Sequence, residues 1–486
     1  MMVNWISGND KRMSQVIIVW FRRDLRLVDN PALIAAIDSG ASVLPVYIHA
    51  PEEEAPWAPG AASRWWLHHS LTALDQTLRE RGSYLHIGNG ATLDNLRELI
   101  AATGAQAVYW NRRYEPACIA RDKRIKQALR DDGIDAKSFN GALLIEPWQI
   151  ETGQGDPYRV FTPFWRKLRA GLQIEAPQAA PAHIDTKKTD GSVALNSLNL
   201  RPKIPWDSEF GAHWLPGEFG AHEAVQQFCE AALRDYKVER DRPDHVGTSR
   251  ISPYLHFGEI GPRQIAWMLD EYARGESSAG LQAAGEPYLR ELGWREFSNH
   301  LLYHFPHTPE KPLQAQFDAF PWAPDDAVAI ARWQGGKTGI PIIDAGMREL
   351  WHTGWMHNRV RMLVASFLTK NLRQHWLHGA RWFWGTLLDA DLANNTQGWQ
   401  WTAGSGADAA PYFRIFNPVT QGYRFDPDGA YVKRWVPELA DASVKLVHEP
   451  WLDPALLQRS GYPPPMVDLA ATRNAALDAY QQMRNA

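Results

Sequence analysis

The stretch DADLANNTQGWQWTAGSGADAAPYFRIFN, residues 389–417, carries two carboxylates, two asparagines and two tryptophans within its first thirteen positions. Buried acids and amides each need a partner, so this mixture does not fit an ordinary core helix. We therefore expect the stretch to surround a polar, flat ligand.

The sequence around this stretch is helical from about residue 216 onward, because apolar residues recur at the spacing of one helix face. In ELGWREF, Glu291, Trp294 and Arg295 fall on one face, and in WMHNRVRM the same spacing aligns Asn358, Arg361 and Met362. An intrahelical Glu–Arg pair beside a core tryptophan is the alternative for the first motif. Several inward polar faces together indicate a ligand pocket within an α bundle.

GTSRISPYLHFGEI, residues 247–260, begins with a glycine, two hydroxyls and an arginine just ahead of an apolar helical stretch. Free backbone N–H groups and the helix dipole favour a phosphate at such a place. Thr248 or Ser249 could instead simply cap the helix.

The N-terminal part alternates short apolar runs with helical patterns, which predicts a parallel α/β sheet. The runs are VIIVW (16–20), SVLPVYIH (42–49), YLHI (84–87) and AVYW (107–110). The loop FRRDLRLVDNPAL after the first run lacks the glycines of a dinucleotide fingerprint. We predict an N-terminal extension over 1–14, an α/β domain over 15–145, an interdomain linker over 146–215 and a helical domain over 216–486.

Composition limits the class of protein. The chain has 486 residues, of which 45% are hydrophobic, and no run approaches the length of a membrane span, so we expect a soluble, cytoplasmic protein. Cys118 and Cys229 are the only cysteines, and neither HExxH nor CxxC occurs, so we predict no metal site.

The net charge of −4 does not indicate binding to nucleic acid. However, residues 352–381 contain no Asp or Glu. This stretch carries Arg359, Arg361, Lys370, Arg373 and Arg381. Such a patch can bind phosphate backbone, although a solvated helix face is the alternative. The chain also holds 23 tryptophans, far more than packing requires.

The chain strongly resembles the photolyase/cryptochrome family of blue-light flavoproteins over about residues 15–440. The matching motifs are WFRRDLRL with DNPAL, SRWWLHHSL, YRVFTPFWRK, GTSRISPYL, ELGWREF, KTGIPIIDAGMRELWHTGWMHNRVRM, and DADLANN through YFRIFNP. Within the family the closest likeness is to bacterial cyclobutane pyrimidine dimer photolyases of classes I and III. The resemblance implies a Rossmann-like antenna-binding domain and an all-α, FAD-binding catalytic domain.

The resemblance also implies the FAD-binding residues. These are Tyr236, Thr248, Ser249, Arg250, Ile251, Ser252, Tyr288, Glu291, Arg295, Asn358, Arg361, Asp389, Asp391 and Asn395. Arg361 and Asp389 match an ion pair beside the isoalloxazine, and Asp391 matches the acid at its pyrimidine edge. Asn395 matches the position facing flavin N5, where plant cryptochromes typically carry Asp. Tyr288 departs from the tryptophan that is common there.

For the reaction, Glu291 resembles the family's acid that hydrogen-bonds the lesion, and Asn358 and Met362 match residues between the adenine and the dimer. Trp294 and Trp401 match the indoles that receive the flipped-out dimer. Photolyases are among the enzymes known to flip their target nucleotides out of the duplex. Arg359 and Arg414 match phosphate contacts. Trp399, Trp376 and Trp322 match the chain that carries an electron to the flavin.

The resemblance therefore implies a lyase that repairs UV-damaged DNA in light, with reduced FAD as the active form. We expect a monomer that associates with the nucleoid through DNA. The antenna implied by SRWWLHHSL and WNRRYEP is methenyltetrahydrofolate, near Asn111 and Glu115, where a turn or cap is the alternative. The alternative functions are a cryptochrome photoreceptor, a (6-4) photolyase, or a nonenzymatic flavin- or DNA-binding module.

Overall fold

The first part of the chain folds into a parallel sheet of five strands in the order β3-β2-β1-β4-β5. The computed structural model describes residues 15–275, 279–409, 411–412 and 414–485, so the predicted extension over 1–14 lies outside the described residues. The strands are β1 Val16–Phe21, β2 Ser42–His49, β3 His86–Asn89, β4 Ala107–Asn111 and β5 Asp135–Phe139. Every residue of the central strand β1 is buried, as in a sheet covered on both faces.

Four helices connect the strands and cover the sheet. They are α1 Pro31–Asp38, α2 Ala61–Glu80, α3 Thr92–Thr103 and α4 Pro116–Asp131. Strands that alternate with helices in one parallel sheet confirm the predicted α/β fold of the N-terminal part.

The remainder of the chain is helical, which confirms the second half of the predicted fold class. Its helices are α5 Phe161–Gly171, α6 Phe210–His213, α7 Glu218–Ala231, α8 Tyr236–Glu239, α9 Ser252–Phe257, α10 Pro262–Gly275, α11 Ala279–His304, α12 Ala327–Gln334, α13 Pro341–Thr353, α14 Asn358–Ser366, α15 Trp376–Thr386, α16 Leu392–Ala403, α17 Pro418–Phe425, α18 Ala430–Trp435, α19 Pro454–Ser460 and α20 Leu469–Asn485. A π-helical segment, Phe367–Asn371, follows α14.

The predicted linker, 146–215, contains regular structure. Helix α5 lies within it and packs against α11. The contact is close: the Trp165 ring of α5 lies against Gly293 of α11, where a side chain would overlap it. The domain boundaries themselves stay predictions.

Across the described residues, no helix is both long and apolar enough to cross a membrane.

Buried hydrogen bonds join the sheet to the helical part. The Trp66 indole on α2 donates to the Glu259 carboxyl at 3.0 Å, and the Gly217 N–H donates to its other oxygen at 2.7 Å. The Glu218 carboxylate accepts from the N–H groups of Leu27 and Val28, both at 2.9 Å. These bonds fix α2 and the loop after β1 against the beginning of α7 and the turn that follows α9.

Glu259 makes this junction sensitive to pH. Burial raises its pKa to about 8, so the folded protein binds a proton there that the unfolded chain releases near its ordinary pKa of 4.5. Its contribution to stability is therefore full below about pH 4.5 and declines as the pH rises towards 8.

Between pH 5.5 and pH 8.5 the free energy of unfolding should fall in the unchanged protein. We expect this fall to be smaller by about 1–3 kcal/mol in the Glu259→Gln variant. The amide cannot ionise, so this part of the pH dependence disappears. Urea unfolding of both proteins at the two pH values measures the difference. Parallel pH profiles would show that the Glu259 carboxyl does not titrate in this range.

Candidate functional site

A cavity of about 620 Å³ lies in the helical part, between the 248–252 loop and helices α11, α14 and α16. It collects nineteen residues that the sequence singled out, from segments far apart in the chain. They are Tyr236, Thr248, Ser249, Arg250, Ile251, Ser252, Tyr288, Glu291, Trp294, Arg295, Asn358, Arg359, Arg361, Met362, Asp389, Asp391, Asn395, Trp399 and Trp401. The volume suits a small-molecule ligand.

Five residues given a role by sequence do not line this cavity: Trp376, Trp322, Arg414, Asn111 and Glu115. Arg414 is exposed on the segment that follows Trp401. Trp376 belongs to the hydrophobic core that contains Trp399, and Trp322 packs against it.

One buried ion pair marks the floor of the cavity. Arg361 holds both oxygens of Asp389 through its two terminal nitrogens, at 3.1 and 2.8 Å. Its Nε donates to the Met356 carbonyl at 2.7 Å, which fixes the plane of the guanidinium. A bidentate pair of this kind presents a rigid polar edge to a planar ligand.

Asp391 and Asn395 stand at the beginning of α16. The Asp391 side chain caps the helix by accepting from the Asn394 N–H at 2.8 Å, and burial raises its pKa. The Asn395 amide donates to the Ala380 carbonyl at 3.0 Å, which leaves its oxygen available as an acceptor. Both residues therefore offer oriented polar groups to the cavity.

The 248–252 loop forms another side of the cavity. Arg250 takes a left-handed conformation, with φ of 52°, and its guanidinium lies 4.5 Å from the Trp214 ring and 4.9 Å from the Trp355 ring. Ser249 Oγ hydrogen-bonds the Tyr288 hydroxyl at 2.8 Å. The loop thus brings hydroxyls, backbone N–H groups and a cation to one place, which suits a phosphate.

Charged pairs at the mouth come from a segment that sequence reasoning missed. Glu291 pairs with Arg240, and Arg359 Nη2 lies 2.6 Å from an oxygen of Asp241. Burial lowers the pKa of Arg240, but the hydrogen bond and charge of Glu291 outweigh it and raise the pKa. The segment 239–245 reads as an ordinary solvated charged turn, so no local signal could have placed it here.

The indoles predicted to hold a substrate are both half-buried at the cavity. Trp294 stacks on Phe161 of α5, with ring centroids 3.6 Å apart and planes within 9°. Stacking fixes the Trp294 ring while leaving it part of the cavity wall.

The three tryptophans predicted for electron transfer belong to, or pack against, one hydrophobic core of the helical part. Trp399 lines it and packs edge-on against Phe383 at 5.0 Å. Trp376 is buried at the first turn of α15. The His375 ring lies 5.7 Å from Trp376 and 5.0 Å from the partly exposed Trp322, so it bridges these two indoles. Their role stays a prediction.

Gly379 allows Trp399 to sit against α15, because an added Cβ would overlap the indole. We expect Gly379→Ala to lower the free energy of unfolding by about 1–3 kcal/mol and to shift the near-UV circular dichroism of the tryptophans. Gly385→Ala is the matched control, since it lies on the same helix and nothing lies within 4 Å of its added Cβ. Equal losses in both variants would contradict this account.

A smaller cavity, of about 280 Å³, lies beyond the carboxyl ends of the strands. Glu115 lines it with Arg23, Arg113, Trp57 and Trp384. Burial raises the pKa of Glu115, but the Arg113 and Arg23 guanidiniums outweigh it and hold the pKa well below its ordinary value.

Asn111 does not line the smaller cavity. It is buried at the carboxyl end of β4, where its amide donates to Asp24 at 2.7 Å and to Asn30 at 2.8 Å. Asn111 therefore tightens the loop after β1, while Glu115 faces the cavity.

The sequence suggested that the acid-free stretch 352–381 forms one basic surface. In the structure it does not. Arg361 and Arg359 pair with carboxylates from other segments, and Lys370 is buried. Arg381 is exposed and lies 3.6 Å from Glu310. The sequence shows no acids nearby because these partners are distant in the chain. Over the described ranges, no cluster of His, Cys, Asp or Glu could hold a metal ion.

Comparison with known proteins agrees with this architecture. Residues 17–182 match the family model described as DNA photolyase, and residues 288–482 match that described as the FAD binding domain of DNA photolyase. A deoxyribodipyrimidine photo-lyase from Agrobacterium fabrum is 46% identical, over 96% of this chain and 98% of its own. Cryptochrome-2 from Arabidopsis thaliana is 39% identical, over 98% of this chain and 80% of its own.

Among solved structures, a bacterial class III photolyase from Agrobacterium tumefaciens superposes with a TM-score of 0.94 and 45% identity, covering 99% of this chain and 100% of its own. The chain belongs to the photolyase/cryptochrome family. Its helical part contains the family's FAD-binding domain, so the cofactor is FAD.

Proposed function

We propose that the protein is a light-driven deoxyribodipyrimidine photo-lyase that splits cyclobutane pyrimidine dimers in UV-damaged DNA. The observation that carries this proposal is the single cavity in which Glu291, Asn358 and Met362 meet the flavin-binding residues. The near-full-length similarity to a deoxyribodipyrimidine photo-lyase supports it.

The donor set of the cavity fits FAD. The 248–252 loop would hold the phosphates, and the Arg361–Asp389 pair, Asp391 and Asn395 would orient the isoalloxazine. When bound and reduced, FAD supplies the photoexcited electron that opens the cyclobutane ring, and this chemistry belongs to the cofactor.

The chain's own contribution is binding and electrostatics. Trp294 and Trp401 offer flat apolar surfaces to a dimer extracted from the stack. In its protonated form, Glu291 would donate a hydrogen bond to a carbonyl of the dimer and stabilise the negative charge that develops there. This requires uptake of a proton and release of the Arg240 guanidinium, which pairs with the Glu291 carboxylate in this structure.

Trp399, Trp376 and Trp322 would carry electrons from a reductant in solution to an oxidised flavin, because Trp399 lines the cavity, Trp376 lies in the same hydrophobic core, and the partly exposed Trp322 packs against that core. Arg359 and Arg414 would contact phosphates around the mouth. For Arg359 this requires exchange of its Asp241 partner for a phosphate. The proposal includes a monomeric enzyme that works on DNA in the nucleoid.

We further propose that the smaller cavity holds an antenna chromophore, methenyltetrahydrofolate. Trp57 and Trp384 give it aromatic walls, and the Glu115 carboxylate gives it an acceptor for the N–H donors of a pterin ring. Arg23 and Arg113 hold that carboxylate in place. We expect Glu115→Ala to lose at least half of the folate that acid extraction recovers from the unchanged protein, with FAD content preserved. Equal folate in both proteins, or none in either, would contradict this assignment.

The first test of function uses purified, photoreduced protein and an oligonucleotide with a single cyclobutane thymine dimer. Restored thymine absorbance under blue light, and none in darkness, is the expected result. Bound FAD without restoration would overturn the proposal in favour of a cryptochrome photoreceptor. A second oligonucleotide with a (6-4) lesion should remain unrepaired.

A further inference from the structure

Lys370 is a buried lysine, with 1% of its surface exposed, in the π-helical segment Phe367–Asn371. None of the described residues forms an ion pair with it. Burial of an ammonium without a counter-charge is costly, so its position needs a physical reason. Short π-helical segments occur often at functional sites.

The Lys370 ammonium nitrogen joins two points of the chain that are nine residues apart. Nζ donates to the carbonyl of Ala403 at 3.1 Å and to that of Tyr412 at 3.4 Å. It also lies 3.3 Å from the centroid of the Tyr412 ring.

The Tyr412 ring is held from its other side as well. Tyr480 of α20 stacks on it, with centroids 4.6 Å apart and planes within 10°. A ring stacked at this distance leaves no room for Nζ on the same face, so the amine and Tyr480 lie on opposite faces. Tyr412 is thus clamped between Lys370 and the last helix.

Residues 404–409, which we call the rim segment, come between the two clamped points in the sequence. The rim segment follows α16, which carries Trp401, and its residue Ala407 lines the large cavity. Gln314 adds a second attachment, because its side chain donates to the Gly406 carbonyl at 2.8 Å. Lys370 therefore fixes both ends of a segment whose middle borders the cavity.

We propose that Lys370 is a positioning residue for the binding of dimer-containing DNA, because it closes the ends of the rim segment and so sets the place of the cavity wall beside Trp401. This inference rests on the proposed function, since the ligand at that wall is the damaged strand.

The chemistry of an amine suits this task. Burial lowers the pKa of Lys370 well below its ordinary value. Both the neutral and the charged amine keep at least two N–H donors, which is the number of carbonyls to be satisfied. A methionine of similar length would fill the space but leave both carbonyls without a donor.

The test compares Lys370→Met with Thr369→Val by binding of a dimer-containing oligonucleotide to the FAD-loaded proteins in darkness. Thr369 is the matched control, because it lies in the same π-helical segment and is buried, but its hydroxyl donates to the Ala365 carbonyl at 2.7 Å and not to the rim segment. We expect Lys370→Met to weaken binding about tenfold, with the same FAD content and flavin spectrum, and Thr369→Val to change only thermal stability.

Tyr480→Leu provides a variant that disturbs the same clamp from the partly exposed side. It should weaken binding of the dimer-containing strand about threefold without changing the flavin spectrum. If Lys370→Met fails to fold, Tyr480→Leu alone tests whether the clamp on Tyr412 supports binding of dimer-containing DNA.

Equal affinities of Lys370→Met, or Tyr480→Leu, and the unchanged protein would overturn the inference. An equal loss in Thr369→Val would also overturn it, because the effect would then be general loosening of the π-helical segment. Failure of the unchanged protein to prefer dimer-containing over undamaged DNA would instead overturn the proposed function.

Discussion

Arg361→Leu is expected to purify without FAD and to bind added FAD at least about a hundredfold more weakly than the unchanged protein. Removal of the guanidinium leaves the Asp389 carboxylate, whose side chain is 4% exposed, without a counter-charge at the cavity floor. A charge that is buried and unpaired costs about 3–5 kcal/mol, and this cost falls mainly on the FAD-bound state, in which the ligand excludes water from Asp389. Fluorescence titration of the apoprotein with FAD measures it.

Arg348→Leu is the control for the Arg361 variant. Arg348 also holds a carboxylate through two nitrogens, that of Glu438 at 2.7 and 3.0 Å, but it does not line the cavity. We expect this variant to lose stability and keep its FAD. Loss of FAD from both variants would mean that the helical part as a whole, rather than the Arg361–Asp389 pair, governs retention.

Glu291→Ala should retain FAD and lower the light-dependent repair rate at least about tenfold at saturating DNA. The variant removes the group proposed to hydrogen-bond the dimer and also releases Arg240, whose guanidinium loses its partner. The measurement is restored thymine absorbance per absorbed photon, with flavin content determined on the same sample.

Glu286→Gln controls for a change of charge on α11. Glu286 pairs with Arg169 at 3.1 Å, and both side chains are more than 40% exposed, so its loss should leave repair unchanged. Repair by Glu291→Ala at the rate of the unchanged protein would limit Glu291 to holding Arg240.

The strands of the sheet show how far sequence patterns reach. The apolar run 42–49 coincides with β2, because every residue but its last is buried. The run 84–87 predicted β3 two residues early: pairing with Val46–His49 of β2 sets the strand at His86–Asn89. Strand β5, DAKSF, escaped prediction because an edge strand with exposed Asp135 and Lys137 has no apolar run.

The cavity likewise contains features that could be predicted from the sequence and features that could not. Its helix faces could be predicted, because Glu291, Trp294 and Arg295 follow helical spacing and the 389–395 stretch concentrates polar groups. The partners of its cations could not be predicted, since Asp241 is 118 residues from Arg359 and belongs to a turn with no apolar pattern. Nor could the burial of Lys370, which depends on a π-helical segment rather than on α-helical periodicity.

The bonds between α2 and Glu259 bear on attempts to shorten the protein. A chain cut near residue 216 would keep every residue of the large cavity, yet Glu259 would lose the Trp66 indole and Glu218 would lose the N–H groups of Leu27 and Val28. The exposed remainder would also include apolar surface now covered by Trp65 and Trp66. Deletion of the N-terminal part therefore removes buried contacts of the helical part, and an exchanged N-terminal part must bring a compatible α2 with it.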